Sequence, residues 1–321
     1  MASCAPRRQK DMQHIFILNP AAGHSDSTVS LTEKIRPTYG ENAIIYETRG
    51  VGDATAFVKE YAQAHTDTQL RFYACGGDGT FSEVVGGAVG FAHVAVGLVP
   101  VGTGNDFVRN FENFENFLSL EHQKNGQEID IDLLRCNDRY CVNMLNTGFD
   151  CEVVGQMQEI KRRVPPGMAY ALGVVIELIK KPCATMTVTA DGVPVESGKR
   201  LLCAVANGGF YGGGYHPLPY ASPADGWIDA CLVKNMSRLR FVSLIGKYKK
   251  GEHIIPQTRE IIKLVRCRKL CLEFPEARRV SIDGELIWMD RCEIEVLPAA
   301  MKLLLPEGCV LPAPREPMGW E

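Results

Sequence analysis

The sequence has no apolar run long enough to span a bilayer. Its longest, Met168 to Ile179, is about a dozen residues and carries Glu177, well short of the ~20 that a spanning helix needs. No charge dominates: 35 Lys and Arg stand against 38 Asp and Glu, for a formal net charge of -3. The basic footprint of a nucleic-acid binder is therefore missing. The 12 cysteines include no CxxC pair and are scattered singly, mostly inside apolar runs, where cysteine acts as a small hydrophobe. After Arg7, Arg8 and Lys10, the stretch Ile15 to Leu18 is too short for a signal-peptide core. These absences point to a reduced, cytosolic protein whose membrane attraction, if any, resides in a local patch. Internal repeats and low-complexity segments are also lacking.

What is present is an ordinary globular balance, 45% hydrophobic and 23% charged over 321 residues, a length that suggests two domains. Up to about Gln13 the chain lacks periodicity and reads as a disordered leader. From His14 to about 128, short apolar runs alternate with helical patterns. The strands are His14–Leu18, Ala43–Thr48, Leu70–Cys75 and Ala95–Val99; the helices are Thr28–Pro37 (with Ser27 as N-cap), Asp53–Ala64 and Phe81 towards Ala88. That alternation predicts an α/β domain with a parallel sheet.

Residues 129–298 differ. Ile129–Leu134, Arg139–Asn146, Thr185–Ala190, Leu201–Ala206, Ile228–Val233, Leu270–Phe274, Arg279–Ile282 and Cys292–Leu297 read as strands between turns such as Asp191–Gly192 and Asp283–Gly284. This half is expected to be antiparallel and all-β, a sandwich or a barrel, interrupted by a helix over Pro166–Lys180. The apolar stretch Ala299–Leu305 could rejoin either domain, and the tail of about 299–321 is assigned to the α/β domain.

Chemistry concentrates at three small-residue loops. Gly76–Gly77–Asp78–Gly79–Thr80 lies between a strand and a helix, where glycine lets the backbone approach a phosphate and the helix start offers N–H groups. A tight turn with Asp78 as N-cap is the plain alternative; otherwise Asp78 holds Mg²⁺ or water, or accepts a proton. Pro100 to Phe107, containing Gly102, Thr103, Asn105 and Asp106, repeats the design after the next strand. Asn19 to Gly23 supplies a third loop. All three fall at the carboxyl edge of one sheet, where ligands bind in such folds. None is GxxxxGK[ST], and no GxGxxG opens a helix, so this is a different kind of phosphate cradle.

The order NPAAG, GGDGTFSEV, PVGTGNDFVR, then IDIDLLRCNDRYCVNMLNTGFD, ANGGFYGGGYHPLPYASPADGWIDACLV and VSIDGE resembles the diacylglycerol-kinase catalytic-domain family. The relatives include bacterial lipid kinases, closest in layout, and sphingosine kinases. The likeness runs from about Ile15 to Leu305. It implies an active site in the cleft between the two domains, ATP and Mg²⁺ as cofactors and a lipid hydroxyl as acceptor. By this resemblance Asn19, Thr48, Gly76, Gly77, Asp78, Gly79 and Thr80 bind nucleotide, faced by Gly102, Thr103, Asn105 and Asp106. It also makes Asp283 the general base, Glu285 its partner, and Asp225 with the Leu218 carbonyl a structural Mg²⁺ site. In-line phosphoryl transfer needs such a proton acceptor, although Asp-Gly alone is an ordinary hairpin turn. Gly86 departs from the family, whose members often carry Asn there.

Two rivals remain: a kinase of another hydroxyl such as NAD, and a catalytically silent nucleotide- or lipid-binding regulator. GTGND stands where an NAD kinase is expected to show an Asn-Glu pair, and Asp78, Asp106, Asp283 and Glu285 are all retained. Basic clusters at Lys161–Arg163, Lys180–Lys181 and Arg238, Arg240, Lys247, Lys249, Lys250 read either as solvated faces or as a patch for an anionic membrane.

Overall fold

A computed structural model describes residues 12–22, 25–160 and 183–315. The chain forms two compact units. One comprises residues up to 103 together with 115–130 and 301–309; the other comprises 104–114, 131–300 and 310 onwards.

The first unit contains β1 (Met12–Leu18), α1 (Ser25–Tyr39), β2 (Ile44–Glu47), α2 (Asp53–Ala64), β3 (Gln69–Gly76), α3 (Asp78–Ala88), β4 (Val94–Pro100) and the short α4 (Leu120–Lys124). β1 pairs in parallel with β2 and β3, and β3 with β4. Strands buried on both faces read as continuous apolar runs, and Ile15 to Leu18 and Val94 to Pro100 are buried throughout. The buried Gln123 amide nitrogen of α4 donates to the Leu98 carbonyl at 2.6 Å and to the Phe117 carbonyl at 2.9 Å, tying the helix to β4. Helix α3 approaches α2 closely at Gly87, where a Cβ would stand 2.6 Å from the Thr55 carbonyl. Ser27 lies inside α1 rather than before it, so it is not the cap.

In the second unit, β5 (Gln127–Cys136, entering at 131), β6 (Arg139–Cys141), β7 (Met144–Gly148), α5 (Phe149–Ile160), β8 (Ala184–Ala190), β9 (Val193–Ala206), β10 (Ile228–Lys234), α6 (Arg238–Lys250), β11 (Ile262–Cys267), β12 (Lys269–Ile282) and β13 (Glu285–Leu305) follow. Pairing among β7 to β12, and between β12 and β13, is antiparallel. The long strands β9 and β12 each pair with β8 along one half and β7 along the other. A core including Leu145, Val188, Val205, Leu232, Leu272 and Val280 fills the interior. At its far end β13 enters the first unit, where Lys302 and Leu303 pair in parallel with Ala95 and Val96.

Three details differ from the sequence reading. The strand expected over Arg139–Asn146 is split, because the Val142, Asn143 and Met144 amides turn to the Asp283 carboxylate. Leu270–Phe274 and Arg279–Ile282 belong to one strand, β12, whose register shifts between Glu273 and Arg278 around Pro275. Helix α6 and strand β11 were not anticipated. The helix expected over Pro166–Lys180 falls on residues 161–182, outside those described. Among the described residues the cysteines are free thiols, and no helix is long and apolar enough to cross a membrane.

Candidate functional site

In the first unit the carboxyl ends of β1, β2, β3 and β4 deliver Asn19, Thr48, Gly76–Thr80 and Gly102. Backbone bonds lock these ends together: Asn19 N to the Cys75 carbonyl at 3.1 Å, Thr48 N to Leu18 at 2.8 Å, and Gly102 N to Gly76 at 3.1 Å. The Asn19 side chain donates to Thr80 Oγ1 at 2.9 Å and accepts from Ala21 N at 3.0 Å, fixing the first loop against the start of α3. Gly76 has no room for a side chain: a Cβ would lie 2.3 Å from Thr80 Oγ1. Gly77 is the N-cap residue of α3 and contributes no side-chain bond, so Asp78 is a first-turn residue and not the cap. A helix start leaves its first N–H groups without intrahelical acceptors, which suits this edge to a phosphate. At Gly86 an added Cβ would meet only Thr55, at 3.9 Å.

From Gly104 onward the PVGTGND loop belongs to the second unit. Asp106 is buried; its Oδ1 accepts from Gly214 N at 2.7 Å and its Oδ2 from Gly213 N at 2.9 Å. Arg109 Nε lies 3.5 Å from the same carboxylate. Gly212, Gly213 and Gly214 all have positive φ (61°, 80° and 98°), a conformation that glycine reaches without strain. Asn105 is also left-handed, at φ 51°. Thr103 is exposed and belongs to the first unit.

Asp283 and Gly284, at φ 47° and 91°, form the hairpin turn between β12 and β13. The Asp283 carboxylate points back into its own unit. Oδ1 accepts from Asn143 N and Met144 N, both at 3.0 Å, and from the Cys141 thiol at 3.3 Å; Oδ2 accepts from Val142 N at 2.7 Å. Burial raises its pKa above the usual carboxylate value, while these donors pull the other way. Burial also lifts the Cys141 thiol well above its ordinary pKa, reinforced by the Asp283 charge, so Cys141 stays protonated as a donor. Glu285 is elsewhere engaged: its exposed carboxylate pairs with Arg139 Nη1 at 3.1 Å.

Asp225 does not fit a metal site. Its Oδ1 accepts from Trp227 N at 3.1 Å, and its Oδ2 lies 3.5 Å from Arg266 Nη2. Arg266 also binds Asp229 through two 2.8 Å bonds and the Tyr220 carbonyl at 3.2 Å. The Leu218 carbonyl accepts from Ala221 N at 3.1 Å. A guanidinium thus stands where a cation's charge would be useful, and both expected ligands have protein donors. Among the described residues no cluster of His, Cys, Asp and Glu is suited to hold a metal.

Sequence reasoning missed Asp150. Its carboxylate accepts from Tyr211 Oη at 2.8 Å and Cys151 N at 3.0 Å, and burial pushes its pKa up to about 6. It lines a cavity of about 60 Å³ together with apolar groups such as Phe149, Leu202, Met236 and Phe241 and the polar tips of Tyr211 and His253. The GFD run gave the only signal, a carboxylate opening an apolar helix.

Comparison with known proteins matches the diacylglycerol kinase catalytic domain at residues 13–136 and the YegS C-terminal NAD kinase beta sandwich-like domain at residues 143–305. A protein of Staphylococcus epidermidis named "Putative lipid kinase" is 29% identical over 256 residues, 79% of this chain and 82% of that one. A "Probable lipid kinase YegS-like" of Alcanivorax borkumensis is 28% identical, with 81% and 86% covered. A crystal structure from Bacillus anthracis described as "a putative diacylglycerol kinase" shares the fold, with a TM-score of 0.75 at 24% identity, covering 92% of this chain and 97% of that one. The chain belongs to the family that joins a diacylglycerol kinase catalytic domain to a YegS-type C-terminal β-sandwich-like domain.

Proposed function

We propose that the protein is a lipid kinase that transfers the γ-phosphate of ATP to a lipid hydroxyl. The observation that carries this reading is the tandem of the two domain types, covering 13–136 and 143–305 in one chain. ATP phosphates are assigned to Asn19, Thr48, Gly76–Thr80, Gly102 and Thr103; Asn105 and Asp106 shape the adjoining loop. Asp78 supplies the kind of single carboxylate that would hold a Mg²⁺ beside the phosphate oxygens, and the ion would supply neutralisation of the phosphate charge. No role is proposed for a structural metal at Asp225.

In the transfer, the lipid oxygen bonds to the γ-phosphorus, the bond to the β-phosphate oxygen breaks, and ADP leaves. Asp283 receives the hydroxyl proton, through Oδ2, the oxygen with fewer of the described donors. Its raised pKa favours that role, since a base works best with a pKa closer to the operating pH. Three amides hold the carboxylate still. Glu285, paired with Arg139, tunes the turn rather than acting on substrate.

The test is transfer from radiolabelled ATP to a panel of diacylglycerol, monoacylglycerol, a sphingoid base, a prenol and phosphatidylglycerol, with NAD alongside. Label in a lipid extract is the expected result. Label in NAD alone would replace the acceptor class. ATP binding with no transfer to any acceptor would favour the silent regulator, a reading that the occupied carboxylates of Asp283 and Glu285 keep in play.

A further inference from the structure

Helix α6 (Arg238–Lys250) has no buried residue, although it is 13 residues long. It starts at Ser237, whose hydroxyl accepts from Arg240 N at 3.3 Å, and ends at left-handed Gly251. Its inner face is Phe241, Leu244, Ile245 and Tyr248, spaced i, i+3, i+4, i+7 and half-buried over the second unit's core. The opposite stripe is Leu239, Val242, Ser243, Gly246 and Lys250, all exposed. Leu239 is 85% exposed and Val242 54%. By helical periodicity, Arg240 and Lys247 flank this stripe on one side and Arg238 and Lys249 on the other. Five cations and no anion occupy the helix, on a chain whose formal charge is -3.

Fold stability does not account for this pattern. Lys247, Lys249 and Lys250 in the last turn favour the helix dipole, but Arg238 and Arg240 in the first turn oppose it, and the first turn carries no acidic residue of its own. A solvated face explains the cations and leaves Leu239 between two arginines unexplained. Exposed Leu and Val side chains framed by Lys and Arg on one helix face are the pattern of a helix lying in a bilayer interface. We propose that α6 is a membrane-contact helix that lies on an anionic lipid surface, with Leu239 and Val242 entering the acyl boundary and the flanking cations meeting head-group charges. Arg240 retains its bond to the Gln257 carbonyl (3.4 Å), and Lys249 stays exposed over the Tyr215 ring at 5.5 Å. The inner face of α6 lines the Asp150 cavity, so the helix joins the lipid surface to the apolar interior of its own unit. The inference deepens the lipid-kinase reading but is measured without ATP.

The full chain is sedimented with vesicles of phosphatidylcholine alone and of phosphatidylcholine with phosphatidylglycerol. Binding is expected only to the anionic vesicles and is expected to fall with salt. K247Q/K249Q/K250Q lowers the partition roughly 100-fold, about fivefold per cation. L239S/V242S lowers it roughly 10-fold at every salt concentration. L239S/V242S leaves the thermal midpoint unchanged because these side chains are exposed, whereas K247Q/K249Q/K250Q lowers it slightly through the lost helix-end charges, with no loss of helix content by circular dichroism. Equal binding to neutral vesicles, or variants that bind like wild type, would overturn the proposal. So would a dimer that L239S/V242S dissolves, since a second copy would then cover the stripe. Phosphorylation of a short-chain lipid monomer in solution separates the two readings. Both variants keep wild-type rates there, whereas a wild type that binds vesicles and phosphorylates nothing refutes the kinase alone.

Discussion

Asp191 and Asp283 stand at the same position of two Asp-Gly hairpins. Both are left-handed, at φ 48° and 47°, each followed by a glycine, at φ 82° and 91°. Both carboxylates reach back to cap successive backbone amides, Arg268 and Lys269 for Asp191, Val142 to Met144 for Asp283. What separates them is environment. Asp191 lies at an exposed tip, whereas burial holds the Asp283 carboxyl above its usual pKa. Turn chemistry explains the shape of both sites, so only burial and the thiol of Cys141 distinguish a candidate base from a structural cap. A kinase reading that rests on Asp283 must therefore show a difference between these two residues that turn geometry alone would not produce.

The largest such difference is expected from Asp283→Asn. An amide cannot take the hydroxyl proton, and general-base catalysis contributes roughly 10²–10⁴-fold, so turnover should fall by about that factor. The Asn oxygen can keep the bonds from Asn143 and Met144, but its NH₂ then faces Val142 N–H, which costs about 1–3 kcal/mol of stability. Steady-state turnover, with calorimetric ATP binding as the control, checks this. Near-normal turnover would make Asp283 another Asp191.

Asp106 tests the same amide-capping role in a loop assigned to nucleotide. Its carboxylate satisfies Gly213 and Gly214 N–H groups inside the second unit. Asp106→Asn should lower unfolding stability by about 2–3 kcal/mol through a buried unpaired donor, read from the denaturant midpoint. ATP affinity should change much less, since the loops proposed for the phosphates are those of Asn19, Gly76–Thr80 and Gly102. A large affinity loss with unchanged stability would return Asp106 to the nucleotide.

Asp150 isolates burial from turn geometry, since it opens a helix and caps no hairpin. Its pKa is about 6 in the fold against 3.8 ordinarily. The folded state therefore binds the extra proton between those values. The associated stability is fully present below about pH 4 and is lost as pH rises through about 6. Asp150→Asn should remove a stability change of about 3 kcal/mol across that window, measured by denaturation at a series of pH values. The Tyr211 hydroxyl can still bond an amide, so the fold should survive. An unchanged slope would mean that Asp150 is solvated.

How much of this the sequence foretold follows from where the information is local. The strands of the first unit are continuous apolar runs between Gly-rich loops, so β1, β3 and β4 and their loop residues were legible from Ile15–Leu18, Gly76–Thr80 and Gly102. Helix α6 was not, because its inner face is only four residues and its cations masked the period. The split of Arg139–Asn146 was hidden for another reason. It is imposed by Asp283, some 140 residues away, whose carboxylate draws off the ladder amides. The same holds for Asp225, whose partner Arg266 is 41 residues distant and turns an expected metal ligand into an ion-pair member. Long-range polar pairing is what the linear pattern could not carry.

The smallest effect belongs to Asp191→Asn, and it completes the pair. One oxygen, Oδ1, already accepts both amides, from Lys269 at 2.8 Å and Arg268 at 3.0 Å. Asparagine keeps an oxygen there, and it tolerates left-handed backbone nearly as well as aspartate. With the tip exposed, the lost charge is screened by solvent, and stability should move by no more than about 0.5 kcal/mol. Turnover and ATP affinity should match wild type. If Asp191→Asn instead lowered turnover as Asp283→Asn is expected to, the loss at Asp283 would report hairpin geometry and not proton transfer. The general-base assignment then would have no support of its own.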